Sequence, residues 1–139
     1  MSDSFDLQRF VDAQNPLFEE VLAELRRGRK ESHWIWFVFP QLTSLGRSAM
    51  AKRFGISSRD EAQAYLAHPI LGPRLIECTR LVNLVEGRSV EEIFGTVDTI
   101  KFRSSMTLFA QVAGDMSIFA DALGKYYAGR ADQLTLELL

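Results

Sequence analysis

The chain is 139 residues long, 47% apolar and 24% charged, with 18 acidic and 16 basic side chains and one cysteine. A chain of this length makes one domain that buries roughly 68% of its unfolded surface, and the composition is that of a soluble globule, which excludes disordered and collagen-like classes. Cys78 alone allows no internal disulfide and fits a reducing compartment, and no run reaches the 18 apolar residues of a membrane span.

The opening Met1-Ser2-Asp3-Ser4-Phe5-Asp6 is acidic and lacks a signal-peptide core, so a cytoplasmic protein with no membrane partner is expected. Ser4 or Asp3 can cap a first helix with Leu7, Phe10, Val11 and Gln14 on one face. Asn15-Pro16 reads as the cap and first position of a second helix, with Leu17, Phe18, Val21, Leu22 and Leu25 inward and Gly28 at its end. Its acids Glu19, Glu20 and Glu24 are expected to face outward.

Next comes His33-Trp34-Ile35-Trp36-Phe37-Val38-Phe39-Pro40-Gln41-Leu42, which holds both tryptophans. Each buried ring removes on the order of 150–250 Å² from water, so this run belongs at the centre of the core. β-Branched and aromatic content favours a strand, but no other segment offers a strand partner for its backbone. Trp34, Phe37, Val38 and Gln41 share a helical face, and Pro40 stops a helix starting near Ser32. A short buried helix is the expectation.

Thr43 to Gly46 reads as a turn and Ser48 to Phe54 as a short helix ended by Gly55. Ser58-Arg59-Asp60-Glu61 is a capping box opening a helix through Ala62, Tyr65 and Leu66, closed at His68-Pro69. Pro73 opens the next, with Leu75, Ile76, Thr79, Val82 and Val85 spaced for burial and Gly87 at its end. Cys78 sits inside it and reads as a small core residue rather than a nucleophile. A second box, Ser89 to Glu92, starts a single turn stopped at Gly95. Asp98 then caps a helix to about Val112, Gly114-Asp115 breaks it, and Ile118 to Gly129 forms another. Asp132 caps a last turn or two. The fold class is therefore all-α: one multihelical domain, 1–139, of about six to eight short and medium helices.

Charge is unevenly spread. Residues 1–25 carry six acids against one base, 26–59 eight bases against Glu31 alone, and 60–139 eleven acids against seven bases. The basic block flanks the aromatic run on both sides, which can be a solvated surface paired to acids elsewhere, or a positive field suited to an anion.

Motifs for established chemistry are absent. There is no glycine-rich phosphate loop, no zinc-type His/Cys spacing and no nucleophile elbow, so no metal and no cofactor is implied and no catalytic residue is assigned. One polar stretch stands out, Asp98 to Phe109. Asp98, Lys101 and Ser105 fall on one helical face, while Ser104, Ser105 and Thr107 sacrifice helix propensity. The bland reading is a surface ion pair with small hydroxyls at a close helix contact. The functional reading is a wall offering hydroxyls and an ammonium to an anion, with a Ser–Lys nucleophile pair ranking behind both. His33 is the best single acid–base candidate, although a lone histidine beside an apolar run is more often structural. His68 reads as a helix-terminal structural residue.

Three long motifs resemble a bacterial family catalogued as domain of unknown function 1810: Ser32 to Gln41, Tyr65 to Leu75, and Ile93-Phe94-Gly95 with Asp98, Lys101 and Ser104 to Phe109. Leu7 to Gln14 and Asp132 to Leu136 look like that family too. The resemblance spans nearly the whole chain and implies a compact multihelical fold, with no activity or site residue to carry over. Some members bear the label calpastatin-like. An inhibitor that folds on its protease would be polar and disordered, which this composition contradicts.

Two functional classes remain. In the first, the chain binds, and conceivably processes, a small anionic, nucleotide-like metabolite in an aromatic-lined cleft formed by His33, Trp36, Gln41, Lys101, Ser104 and Ser105. In the second, it is a protein-interaction module or structural homodimer with no small-molecule site. Nucleic acid is a weaker partner for a chain of net charge −2. An aromatic-lined pocket reached by His33, Gln41 and Ser105 would separate the two.

Overall fold

A computed structural model describes residues 3–139. Capping dictates where most helices begin. Asp3 accepts hydrogen bonds from the backbone N–H of Leu7 (2.7 Å) and Gln8 (2.9 Å) at the head of α1, Gln8–Gln14. Ser48 caps α4, Ala49–Arg53, and Ser58 caps α5, Arg59–Ala67, each hydroxyl accepting from the N–H three residues on. Ser89 and Glu92 close a full reciprocal box at the start of α7, Val90–Ala113. Ser117 opens α8, Ile118–Tyr127, and Asp132 opens α9, Gln133–Leu138.

Of the remaining helices, the second and third begin without a side-chain cap. The second, α2, is Phe18–Arg26, two residues later than Asn15-Pro16 would place it. The third, α3, is only Ile35–Val38, followed by a single 3₁₀ turn at Thr43–Leu45. The sixth, α6, is Leu71–Leu84, with Pro73 inside its first turn and His68 accepting from the N–H of Ile70 and Leu71. Among the described residues there are nine α-helices and no named strand, an all-α fold with slightly more helices than expected. One parallel bridge, Leu42 to Ile56, is the whole of the β pairing.

Packing centres on α7. Its inward side chains Phe102, Met106, Leu108 and Phe109 are fully buried, and α8, α5, α9 and α3 all contact it. The aromatic run lies in the same core: Trp34, Ile35, Phe37, Val38 and Phe39 are buried and Trp36 is half-buried. Phe39 meets Phe102 edge-on at 4.9 Å, and Phe94 stacks on Phe102 at 4.5 Å between ring centroids, geometries that the ring quadrupole favours.

Two local expectations give way to buried charge. Glu24, read as outward, is buried and accepts from Glu31 N–H (2.7 Å), Ser32 N–H (3.0 Å), Ser32 Oγ (2.6 Å) and Trp34 Nε1 (3.0 Å). Those bonds hold residues 31–34 against α2 in non-helical form, so α3 starts at Ile35 rather than near Ser32. Glu61 makes only half of the expected box. Its carboxylate accepts instead from Ser57 N–H and Oγ and pairs with Arg9 at 3.0 Å. Ile76, expected inward, is exposed. Asp98 does not cap its helix, because α7 restarts directly after Gly95, whose φ of +83° and ψ of 166° break it.

Candidate functional site

The restart after Gly95 turns Lys101 toward the aromatic run. Its Nζ lies 5.1 Å from the Trp36 ring centroid, a cation–π contact between α7 and α3. Asp98, one turn earlier, is engaged by another base: Lys30 Nζ approaches its carboxylate to 2.7 Å, while Lys101 Nζ stays at 4.0 Å. Lys30 is further held by the carbonyl of Ser32 (2.6 Å) and lies over Trp34 (4.9 Å). Lys101 has no such bond among the described residues, although its side chain is only 24% exposed. The Lys101 ammonium, in a 4.0 Å ion pair with Asp98 and without a hydrogen-bond acceptor among the described residues, joins α7 to the aromatic run.

Three hollows share Lys101 as a wall. One, of about 440 Å³, is bounded by Lys30, His33, Trp36, Gly95 and Asp98. A second, of about 360 Å³, runs from Gln41 and Arg47 across Ile100 to Ser104 and Asp132. Between them, Trp36, Gln41 and Phe39 line a recess of about 10 Å³, room for one water-sized atom. The indole Nε1 of Trp36 is buried without a hydrogen-bond partner, which makes it a costly donor.

The groove therefore brings together five of the six residues singled out in the sequence: His33, Trp36, Gln41, Lys101 and Ser104. Ser105 does not join them. It lies on the core-facing side of α7, and its hydroxyl is fully buried and unpartnered. The Ser–Lys pair is not assembled: Ser104 donates to Ile100 O (3.2 Å) and Asp132 (3.3 Å), and Lys101 bonds neither serine. Thr107 accepts from Asp132 N–H (2.8 Å) and is part of a tie, not of the groove. Arg103 completes that tie, donating to the carbonyls of Arg130 (2.9 Å) and Ala131 (3.1 Å). The tie fixes α9 against α7 and so sets the far wall. Tyr127 braces the restart, its hydroxyl donating to Thr99 O (2.7 Å), and burial pushes that hydroxyl's pKa up.

Sequence reasoning missed the apolar part of the groove. Val97, Ile100 and Leu134 line the 360 Å³ hollow and are 65%, 63% and 52% exposed. Val97 and Ile100 lie three residues apart, on the side of α7 away from Phe102 and Met106, and that spacing is the signal that could have found them. Among the described residues no group of three or more His, Cys, Asp or Glu is placed to hold a metal ion, and no helix is long and apolar enough to cross a membrane.

Fold and groove together define an all-helical protein built on one kinked helix, with a cationic groove at the kink. The profile of the family described as protein of unknown function (DUF1810) matches residues 4–139, and the chain belongs to that family. It is similar to the conserved hypothetical protein Rv1873 from Mycobacterium tuberculosis, solved as a crystal structure at 1.38 Å. The two share 59% identity with a TM-score of 0.97 over 99% of this chain and 98% of that one. Comparison with curated proteins finds no match.

Proposed function

We propose that the groove around Lys101 binds a small anionic metabolite. The observation that carries this is the Lys101 ammonium, which lines all three hollows, makes no hydrogen bond among the described residues and has only a long 4.0 Å ion pair to Asp98. A carboxylate or phosphate there accepts a charge-assisted hydrogen bond that no protein group among the described residues accepts from this lysine. Gln41 offers a neighbouring polar group, Ser104 lies beside it with its hydroxyl engaged by Ile100 and Asp132, and His33 lines the larger hollow. A nucleotide-like ligand needs a ring stacked on Trp36, and Lys101 already lies over that ring. The anion subsite is therefore the better supported half of that expectation. No reaction is proposed.

Thermal-shift screening with inorganic phosphate, nucleotides and small carboxylic acids tests the reading. A ligand present at 100 times its dissociation constant adds about 2.7 kcal/mol of stability. Lys101→Met should abolish that shift while leaving the unliganded melting temperature nearly unchanged. Equal shifts in both proteins, or no shift with any anion, would sink the proposal.

A further inference from the structure

We infer that the ligand of this groove is an amphipathic carboxylate, its head on Lys101 and its apolar body along Val97, Ile100 and Leu134. This deepens the anion-binding reading above and rests on it. Single exposed apolar residues are ordinary on protein surfaces. Here three large ones, from two helices, converge on one hollow that also contains the unbonded ammonium. Val97 and Ile100 are not needed to close the core, because Phe102, Met106 and Phe109 fill it from the opposite side of α7. Leu134 faces them from α9, whose position the Arg103 and Asp132 tie fixes.

Charge and size agree with that class. Asp132, the one carboxylate on this hollow, is already occupied by Ser104 Oγ (3.3 Å), Thr135 N–H (3.1 Å) and Thr135 Oγ1 (2.5 Å), while Arg47 is exposed at the rim. Two bases, Lys101 and Arg47, thus stand against one carboxylate among apolar side chains, a lining that suits a carboxylic acid with a hydrocarbon tail. The volume of about 360 Å³ lies within the range of small-molecule sites. The recess between Trp36, Gln41 and Lys101 accepts one carboxylate oxygen.

Calorimetric titration of the full chain with butyrate, hexanoate and octanoate reads the tail directly, with inorganic phosphate as the tailless anion and 1-octanol as the chargeless tail. Affinity should rise with chain length by up to about fourfold per methylene, the factor for burying one CH₂. Octanol should bind far more weakly than octanoate. Ile100→Asn, a neutral change at an exposed position, should weaken octanoate severalfold and leave phosphate nearly unchanged; Leu134→Asn repeats the test from the other wall. If phosphate binds in a Lys101-dependent way but the acids show no chain-length trend, the inference is overturned while the anion site stands. If no anion binds, both fall. If Ile100→Asn alters the sedimentation of the protein yet leaves octanoate binding intact, the apolar rim is a contact with a second copy and the inference is wrong.

Discussion

Glu24 offers the sharpest test of what holds the aromatic run in place. Burial alone would push its carboxyl pKa up, but the hydrogen bonds from Ser32, Glu31 and Trp34 outweigh that and hold it down, from a usual 4.5 to about 2. A group whose pKa is depressed on folding stabilises the folded state above its unfolded pKa. That stability is lost as pH falls through the folded value. At about 1.4 kcal/mol per pH unit, the contribution is about 3 kcal/mol, fully present above about pH 5 and gone near pH 2. Glu24→Gln keeps the shape but turns an amide NH₂ toward donors, leaving at least one buried N–H without an acceptor, a further 1–3 kcal/mol in typical cases. Urea unfolding of both proteins at a series of pH values isolates the effect, because every other carboxylate titrates in both. The wild type should lose about 3 kcal/mol more than the variant between pH 5 and 2. Parallel pH profiles would refute the account of Glu24 as a charged anchor.

Phe37→Ala should cost roughly 3–5 kcal/mol, the range for a large buried aromatic, while Trp36→Ala should cost less because its ring is half-buried; denaturant unfolding with both unchanged would remove the run from the core. Burial pushes the Cys78 thiol up to about 12, so it should label slowly with thiol reagents in native buffer and rapidly in urea, and fast native labelling would contradict the burial. Gly95→Ala should cost of order 1–3 kcal/mol through backbone strain alone, since no atom lies within 4 Å of the added methyl; a change in melting temperature below one degree would mean the kink relaxes freely.

Much of the fold was legible because local and tertiary preferences coincide. Ser48, Ser58, Ser89 and Asp132 open helices both by side-chain chemistry and in the structure. The alternation of Phe102, Met106 and Phe109 marks a face that is in fact buried. Legibility failed where long-range charge overrode local pattern. Nothing near Asn15-Pro16 forbids a helix start, yet α2 begins at Phe18 with no side-chain cap. Glu24 was placed outside because acids usually are, although its spacing after Leu17 and Val21 runs along the apolar stripe. Arg9 shows no local signal at all, and it reaches the carbonyls of Arg53 (2.8 Å) and Gly55 (2.9 Å) across the fold.

The groove depends on the same competition between bases for acids. Lys30 and Lys101 both lie near Asp98, but only Lys30 sits at 2.7 Å with a second acceptor, the Ser32 carbonyl, while Lys101 stays at 4.0 Å. Lys30 takes that place because the Glu24 bonds draw residues 31–34 against α2 and leave the Ser32 carbonyl beside it. Lys101 is left over Trp36, with only a long 4.0 Å ion pair to Asp98. A lone lysine in the sequence carries no sign of this, since its availability is set by a carboxylate on another helix and by a glycine six residues earlier. The Asp98, Lys101 and Ser105 spacing singles out Lys101, which lines the hollows, but it does not show that Ser105 turns into the core. Helical periodicity places side chains on a face, and the ion pairs decide which of them remains open to a ligand.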